Sequence, residues 1–136
     1  MRAVGVLEFG GPEALVVVEV PERHAGPGEV RIRVAAAAVN PTDTIHRCGR
    51  RADMLSVDPP PYVPGMDVAG VIDEIGEGVT RFSIGDEVMG IVIPKGDHGG
   101  YRESIVLPHA SVARIPRGST LVEACTLPMN GLTARL

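Results

Sequence analysis

Glycine and proline break this chain at short intervals, and that punctuation decides what it can fold into. Phe9-Gly10-Gly11-Pro12, Gly26-Pro27-Gly28, Gly76-Glu77-Gly78 and Ile84-Gly85-Asp86 separate runs rich in valine, isoleucine and alanine. Glycine reaches positive φ without a steric penalty, and proline fixes φ while lacking an N–H donor, so both belong in turns. The β-branched residues between them suit pleated, half-buried strands. Strands are therefore expected over residues 2–8, 15–20, 29–39, 68–75, 87–93, 101–107 and 111–115. Within the third, Val30-Arg31-Ile32-Arg33-Val34 alternates apolar with charged side chains, the pattern of a strand with one wet face. The alanines at 35–38 that follow carry nothing large enough to hold a neighbour or a ligand away from the backbone.

Helices have little room. Asn40-Pro41-Thr42-Asp43 reads as a helix start, with Asn40 as cap and Pro41 at the first helical position, and that helix ends near Gly49. Residues 50–62 read as irregular and finish in Pro59-Pro60-Pro61-Tyr62, where the rings favour an extended path. Thr120-Leu121-Val122-Glu123 has the spacing of a capping box, so a helix begins there. Pro128 interrupts it and starts a second piece over residues 129–136. The sequence ends inside this apolar, helix-forming stretch without a capping glycine, which makes a following segment the expectation.

At 136 residues the chain fits one domain of ordinary size, residues 1–136. A net charge of −4 offers no footprint for nucleic acid, and Arg47, Arg50 and Arg51 make only a local basic cluster. No apolar run approaches a membrane span or the core of a signal peptide, so a cytoplasmic, membrane-free protein is expected. Cys48 and Cys125 lie far apart, outside any Cys-x-x-Cys spacing, which favours free thiols.

Several chemistries lack their motif. His46-Arg47-Cys48 would put two donors two apart on a helix, facing different sides, and His24, His98 and His109 have no paired spacing, so a zinc site is not expected. No Gly-x-Ser-x-Gly elbow anchors a serine nucleophile. Neither glycine-rich phosphate-binding signature is present, so this segment carries no dinucleotide cradle of its own. Pro59-Pro60-Pro61-Tyr62 matches a proline-rich docking peptide, but its place between regular elements favours a path-setting role, with accessibility of Tyr62 as the criterion.

Six short pieces, in order, resemble one family: Glu8-Phe9-Gly10-Gly11-Pro12-Glu13, Gly26-Pro27-Gly28-Glu29-Val30, Val39-Asn40-Pro41-Thr42-Asp43, Pro64-Gly65-Met66-Asp67-Val68-Ala69-Gly70, residues 76–88 from Gly76-Glu77-Gly78 to Gly85-Asp86-Glu87-Val88, and Leu127-Pro128-Met129-Asn130-Gly131-Leu132-Thr133-Ala134. Across the whole chain they are similar to the N-terminal catalytic domain of the medium-chain dehydrogenase/reductase superfamily, in its zinc-independent quinone oxidoreductase branch. The resemblance implies a GroES-like, partly open β-barrel with short flanking helices. It also implies a C-terminal Rossmann domain outside this chain, binding NADPH in the cleft between the two, and a homodimer at full length.

By the same resemblance, the zinc-binding branch places its catalytic ligands at the positions of Asn40, Met66 and Met129. An amide and two thioethers are poor zinc donors, so a zinc-free site is implied. Without a Lewis acid to stabilise an alkoxide, the fitting substrates are quinones and α,β-unsaturated carbonyls, which delocalise the charge that a hydride brings. Asn40 is the implied catalytic amide and, with Thr133, a contact to the nicotinamide end of the cofactor. Asp43, Ile45 and Met66 are the implied substrate-side residues, with Asp43 paired to Arg47. Ile45 departs from the family, many of whose members carry tyrosine there. The alternative is a non-catalytic GroES-like module that binds a partner.

Overall fold

The computed structural model describes residues 1–55 and 59–136. Among the described residues, seven strands form two antiparallel sheets. β1 (Arg2–Gly5) and β2 (Val16–Glu19) make a two-stranded ribbon; β3 (Glu29–Ala37), β4 (Asp67–Ile75), β5 (Glu87–Ile91), β6 (Ser104–Pro108) and β7 (Val112–Arg114) make a five-stranded sheet in the order β6-β3-β4-β5-β7. Neither sheet closes on itself, and the expected mainly β, partly open barrel with short helices is what forms.

Every strand is shorter than its apolar run, save β4, and the ends show why. Val6 leaves β1 and makes an isolated bridge with Tyr62, while Tyr101 and Arg102 run beside the ribbon, Arg102 bridging Ala3 and the Val4 N–H reaching the Tyr101 carbonyl at 2.8 Å. Residues at these junctions hydrogen-bond to loops, so the ladder stops although the hydrophobic pattern continues. β3 carries register shifts at Arg31/Ile32 and at Val34/Ala36. Such irregularities bend a strand, here between its alternating half and its alanine half.

The main core lies on one face of the large sheet, where Val30, Ile32, Val68, Ile72, Val88, Ile105 and Leu107 interlock with Phe82. Ala3, Val18, Val20 and Val63 form a second cluster below the ribbon. The alanine half of β3 serves a third: Ala36 and Ala38 lie against Ala69, Ala124 and Cys125. Small side chains there admit a helix close to the sheet.

The helices are α1 (Pro41–Arg47), α2 (Ala52–Leu55), α3 (Leu121–Ala124) and α4 (Pro128–Arg135), with single 3-10 turns at Pro12–Ala14 and His109–Ser111. The capping box at Thr120 forms: Glu123 donates its N–H to the Thr120 hydroxyl at 3.2 Å and accepts the Thr120 N–H at 2.8 Å. α4 starts at Pro128, as its missing donor permits. The short α2 corrects the irregular reading of residues 50–62; residues 56–58 of that span lie outside the described ones. Tyr62 is half-buried, its backbone bridged to Val6 and its ring stacked on Phe9 at 5.3 Å. That engagement removes it from the exposed-peptide role.

His46, fully buried on α1 and 6.3 Å from the Tyr62 ring, has no hydrogen-bond partner for either ring nitrogen. Burial holds it below its ordinary pKa of 6.5, against a smaller opposing pull from Asp43. His98 is lowered likewise, by burial and then by Arg102 and Arg23. Below pH 6.5 the unfolded chain therefore binds protons that the folded chain refuses, and stability falls. Urea unfolding at pH 7.5 and pH 5.5 is expected to show a lower midpoint at the acid value, with His46→Leu reducing the difference.

At Gly70 the β4 backbone lies tight against β3, since a Cβ there would meet the Arg33 carbonyl oxygen at 2.0 Å. Gly70→Ala is expected to cost about 2 kcal/mol or more in denaturant unfolding, because the obstacle is backbone and cannot rotate away.

Candidate active site

Two carboxylates at the end of the large sheet organise everything around them. Asp43, on the first turn of α1, accepts the Asn40 N–H at 2.7 Å, the Gly65 N–H at 2.8 Å and the Tyr101 hydroxyl at 3.1 Å. The first is the backward half of a capping box; the second ties α1 to the loop ahead of β4. Gly65 has φ of +109°, and a Cβ there would run into Gly100 at 2.7 Å, so glycine is required for that loop to come so close. The expected pairing of Asp43 with Arg47 does not form. Asp43 spends its acceptors on three nearer donors, and the Arg47 Nε is buried without a hydrogen-bond partner among the described residues.

Asp67 opens β4 and is fully buried. It accepts the side-chain amide of Asn40 at 2.6 Å and the Met129 N–H at 2.6 Å. Three segments distant in sequence thus meet at one carboxylate, which also sits at the N-terminal end of α4, where a negative charge is favoured. Burial pushes the Asp67 carboxyl above the usual range, while the bonds from Asn40 and Met129 pull the other way. Burial likewise raises the nearby Cys125 thiol, with the Asp67 charge adding to it. Both cysteines are free thiols.

The implied site residues are brought together unevenly. Asn40 is half-buried, and Asp67 holds its amide. Met66 is half-buried, with its carbonyl taken by the Val92 N–H at 2.7 Å, and Ile45 is half-buried on α1. Neither lines the cavity of about 80 Å³ beside Asp43, whose walls are Leu15, Val39 and Pro64 with Thr44, Arg47 and Tyr101. Thr133 is exposed, one turn further along α4 than the Asp67 contact. Sequence reasoning missed Tyr101 and the bridging role of Asp67. No local signal marks a tyrosine whose phenol will find a carboxylate 58 positions away.

A larger groove of about 500 Å³ lies on the other side of Tyr101, between the ribbon and the alanine half of β3. Its charged pair, Arg2 and Glu103, is already joined. Among the described residues no three of His, Cys, Asp and Glu gather as a metal site would need. No helix among them is long and apolar enough to cross a membrane.

Residues 26–117 match the alcohol dehydrogenase GroES-like domain. The chain belongs to that family. Within the medium-chain dehydrogenase/reductase superfamily, this GroES-like domain is 40% identical over 121 residues to a quinone oxidoreductase of Lama guanicoe, covering 85% of this chain and 34% of the relative. It is 36% identical over 137 residues to a 2-haloacrylate reductase of a Burkholderia species, covering 99% of this chain and 40% of the relative. A mycobacterial structure complexed with NADPH superposes with a TM-score of 0.81 at 31% identity, covering 98% of this chain and 39% of the other. The domain thus spans well under half the length of these relatives.

Replacing Asp67 by alanine would leave the Asn40 amide and the Met129 N–H without an acceptor. Asp67→Ala is expected to lower unfolding free energy by about 2–3 kcal/mol, and Asp67→Asn, which keeps one acceptor, by about half as much, read from urea melts.

Proposed function

We propose that this domain is the substrate side of a zinc-independent reductase that transfers hydride from NADPH to a quinone or an α,β-unsaturated carbonyl. The observation that carries the reading is the convergence on Asp67. Where the zinc-binding branch would place metal ligands, this chain has an amide and two thioethers, with the Asn40 amide and the Met129 backbone N–H turned to a buried carboxylate. With both of its oxygens accepting N–H donors, Asp67 is occupied as a hydrogen-bond hub, and amide and thioether donors suit zinc poorly.

NADPH supplies a hydride when bound. The half-buried Asn40 amide, its orientation fixed by Asp67, fits a neutral polar contact at the nicotinamide end of such a cofactor, and Thr133 is the second residue assigned there. On the substrate side, the hydride adds to a conjugated carbon and the electron pair moves onto the carbonyl oxygen. A hydrogen-bond donor held in place stabilises that oxygen without reorganising, and the proton that completes the reduction comes from water or a polar side chain. Asp43 keeps α1 and the Gly65 loop in register, so the Asn40 backbone cannot drift from this position. The names of the quinone oxidoreductase and haloacrylate reductase relatives support the acceptor class, and the mycobacterial complex supports the cofactor.

Loss of reduced-nicotinamide absorbance by the full-length protein with 1,4-benzoquinone or an enal measures the activity directly. Turnover without added zinc is expected, with kcat/KM falling about 10- to 100-fold in Asn40→Ala. Absence of NADPH consumption with every quinone and enone tried would instead favour the partner-binding alternative. The isolated domain is expected to bind NADPH negligibly, as calorimetric titration would show.

A further inference from the structure

Asn40 is braced by a residue that the proposed reaction does not use. Tyr101 follows two glycines packed onto the chain ahead of β4. A Cβ on Gly99 would meet the Val63 carbonyl oxygen at 1.9 Å, and the Gly100 and Tyr101 N–H groups donate to the Gly65 carbonyl at 2.9 Å and the Pro64 carbonyl at 3.0 Å. On its other side the Tyr101 carbonyl accepts the Val4 N–H of the ribbon at 2.8 Å. Backbone bonds in both directions therefore fix where the side chain starts.

Its hydroxyl reaches both flanks of Asn40. The phenol donates to Asp43 Oδ2 at 3.1 Å and shares that donor with the Ala38 carbonyl at 3.4 Å. Asp43 Oδ2 is the same oxygen that accepts the Asn40 N–H at 2.7 Å, while Oδ1 accepts the Gly65 N–H at 2.8 Å. One side chain thus spans the turn from β3 into α1, with Asn40 between its two acceptors. The ring has a groove of about 500 Å³ on one side and a cavity of about 80 Å³ on the other, so packing leaves it room and the hydroxyl bonds set its place. Burial holds the phenol above its ordinary pKa, and the adjacent Asp43 charge adds to this. Its proton stays on oxygen across the neutral range, which suits a permanent donor and not an acid that gives its proton to substrate.

We infer that Tyr101 is a positioning residue of the reductase site: its hydroxyl locks Asp43 Oδ2 and through it the Asn40 backbone, so that the Asn40 amide meets the nicotinamide end of the cofactor at one fixed place. The effect on turnover rests on the reductase reading above; the brace itself does not. Asp67 holds the Asn40 side chain and Tyr101, through Asp43, its backbone, so the residue is fixed at both ends. A contact misplaced at the reacting centre lowers the rate more than it lowers affinity for a cofactor bound largely elsewhere.

Tyr101→Phe keeps the ring and removes the donor. In the 136-residue chain, amide hydrogen exchange at Asn40 and Gly65 is expected to speed up about tenfold, with Ile72, buried in the main core, unchanged. Unchanged exchange at Asn40 and Gly65, or equal acceleration at all three, would overturn the brace. In the full-length protein, Tyr101→Phe is expected to lower kcat with 1,4-benzoquinone about tenfold, to leave KM for NADPH within about twofold, and to lower kcat no further when Asn40 is already alanine. A merely structural role would make the two losses multiply in the double variant. That result, or full kcat in Tyr101→Phe, sinks this inference alone, whereas a wild-type protein inactive with every acceptor sinks the reading on which its effect on turnover rests.

Discussion

One buried carboxylate carries the architecture of the site. Asp67 draws the Asn40 amide from the end of the β3 connection and the Met129 N–H from the start of α4 onto the first residue of β4. A buried charge is unfavourable unless donors surround it, so its two partners must be in place whenever the fold is formed. The penalty works as a constraint. Any movement of α4 or of residue 40 away from the sheet leaves a carboxylate stranded, and the geometry at Asn40 is fixed by that threat.

Asp43 extends the same logic one layer outward. Its three donors come from the chain before α1, from the Gly65 loop and from Tyr101 beyond β5, so the small cavity is walled by segments that one side chain holds together. The consequence for Arg47 is indirect. By meeting its needs elsewhere, Asp43 withholds itself from the arginine one turn on, and a cation remains beside the cavity. Glycine makes the closeness possible: Gly65 and Gly70 sit where any side chain would strike backbone.

The relatives frame this arrangement without replacing it. A quinone oxidoreductase and a haloacrylate reductase share the domain at 40% and 36% identity. In this chain Ile45 is half-buried on α1, and the Arg47 Nε is buried without a hydrogen-bond partner among the described residues.

By itself the sequence determined the strand order along the chain, the helix starts at Asn40, Thr120 and Pro128, and the resemblance that led to the GroES-like family. These are readable because turn chemistry, capping spacing and two-residue alternation act between neighbours. It overstated most strand lengths, since apolar runs continue past the point where Val6 and Tyr101 turn their backbone bonds to loops. The short α2 escaped it too. Only the tertiary structure decided who pairs with whom among the charged and polar groups: Asp43 with Tyr101 instead of Arg47, and Asp67 with Asn40 and Met129. Those partners lie 27 to 62 positions apart, and the competition among donors for one buried acceptor is settled by distance in the folded chain, which no local pattern encodes.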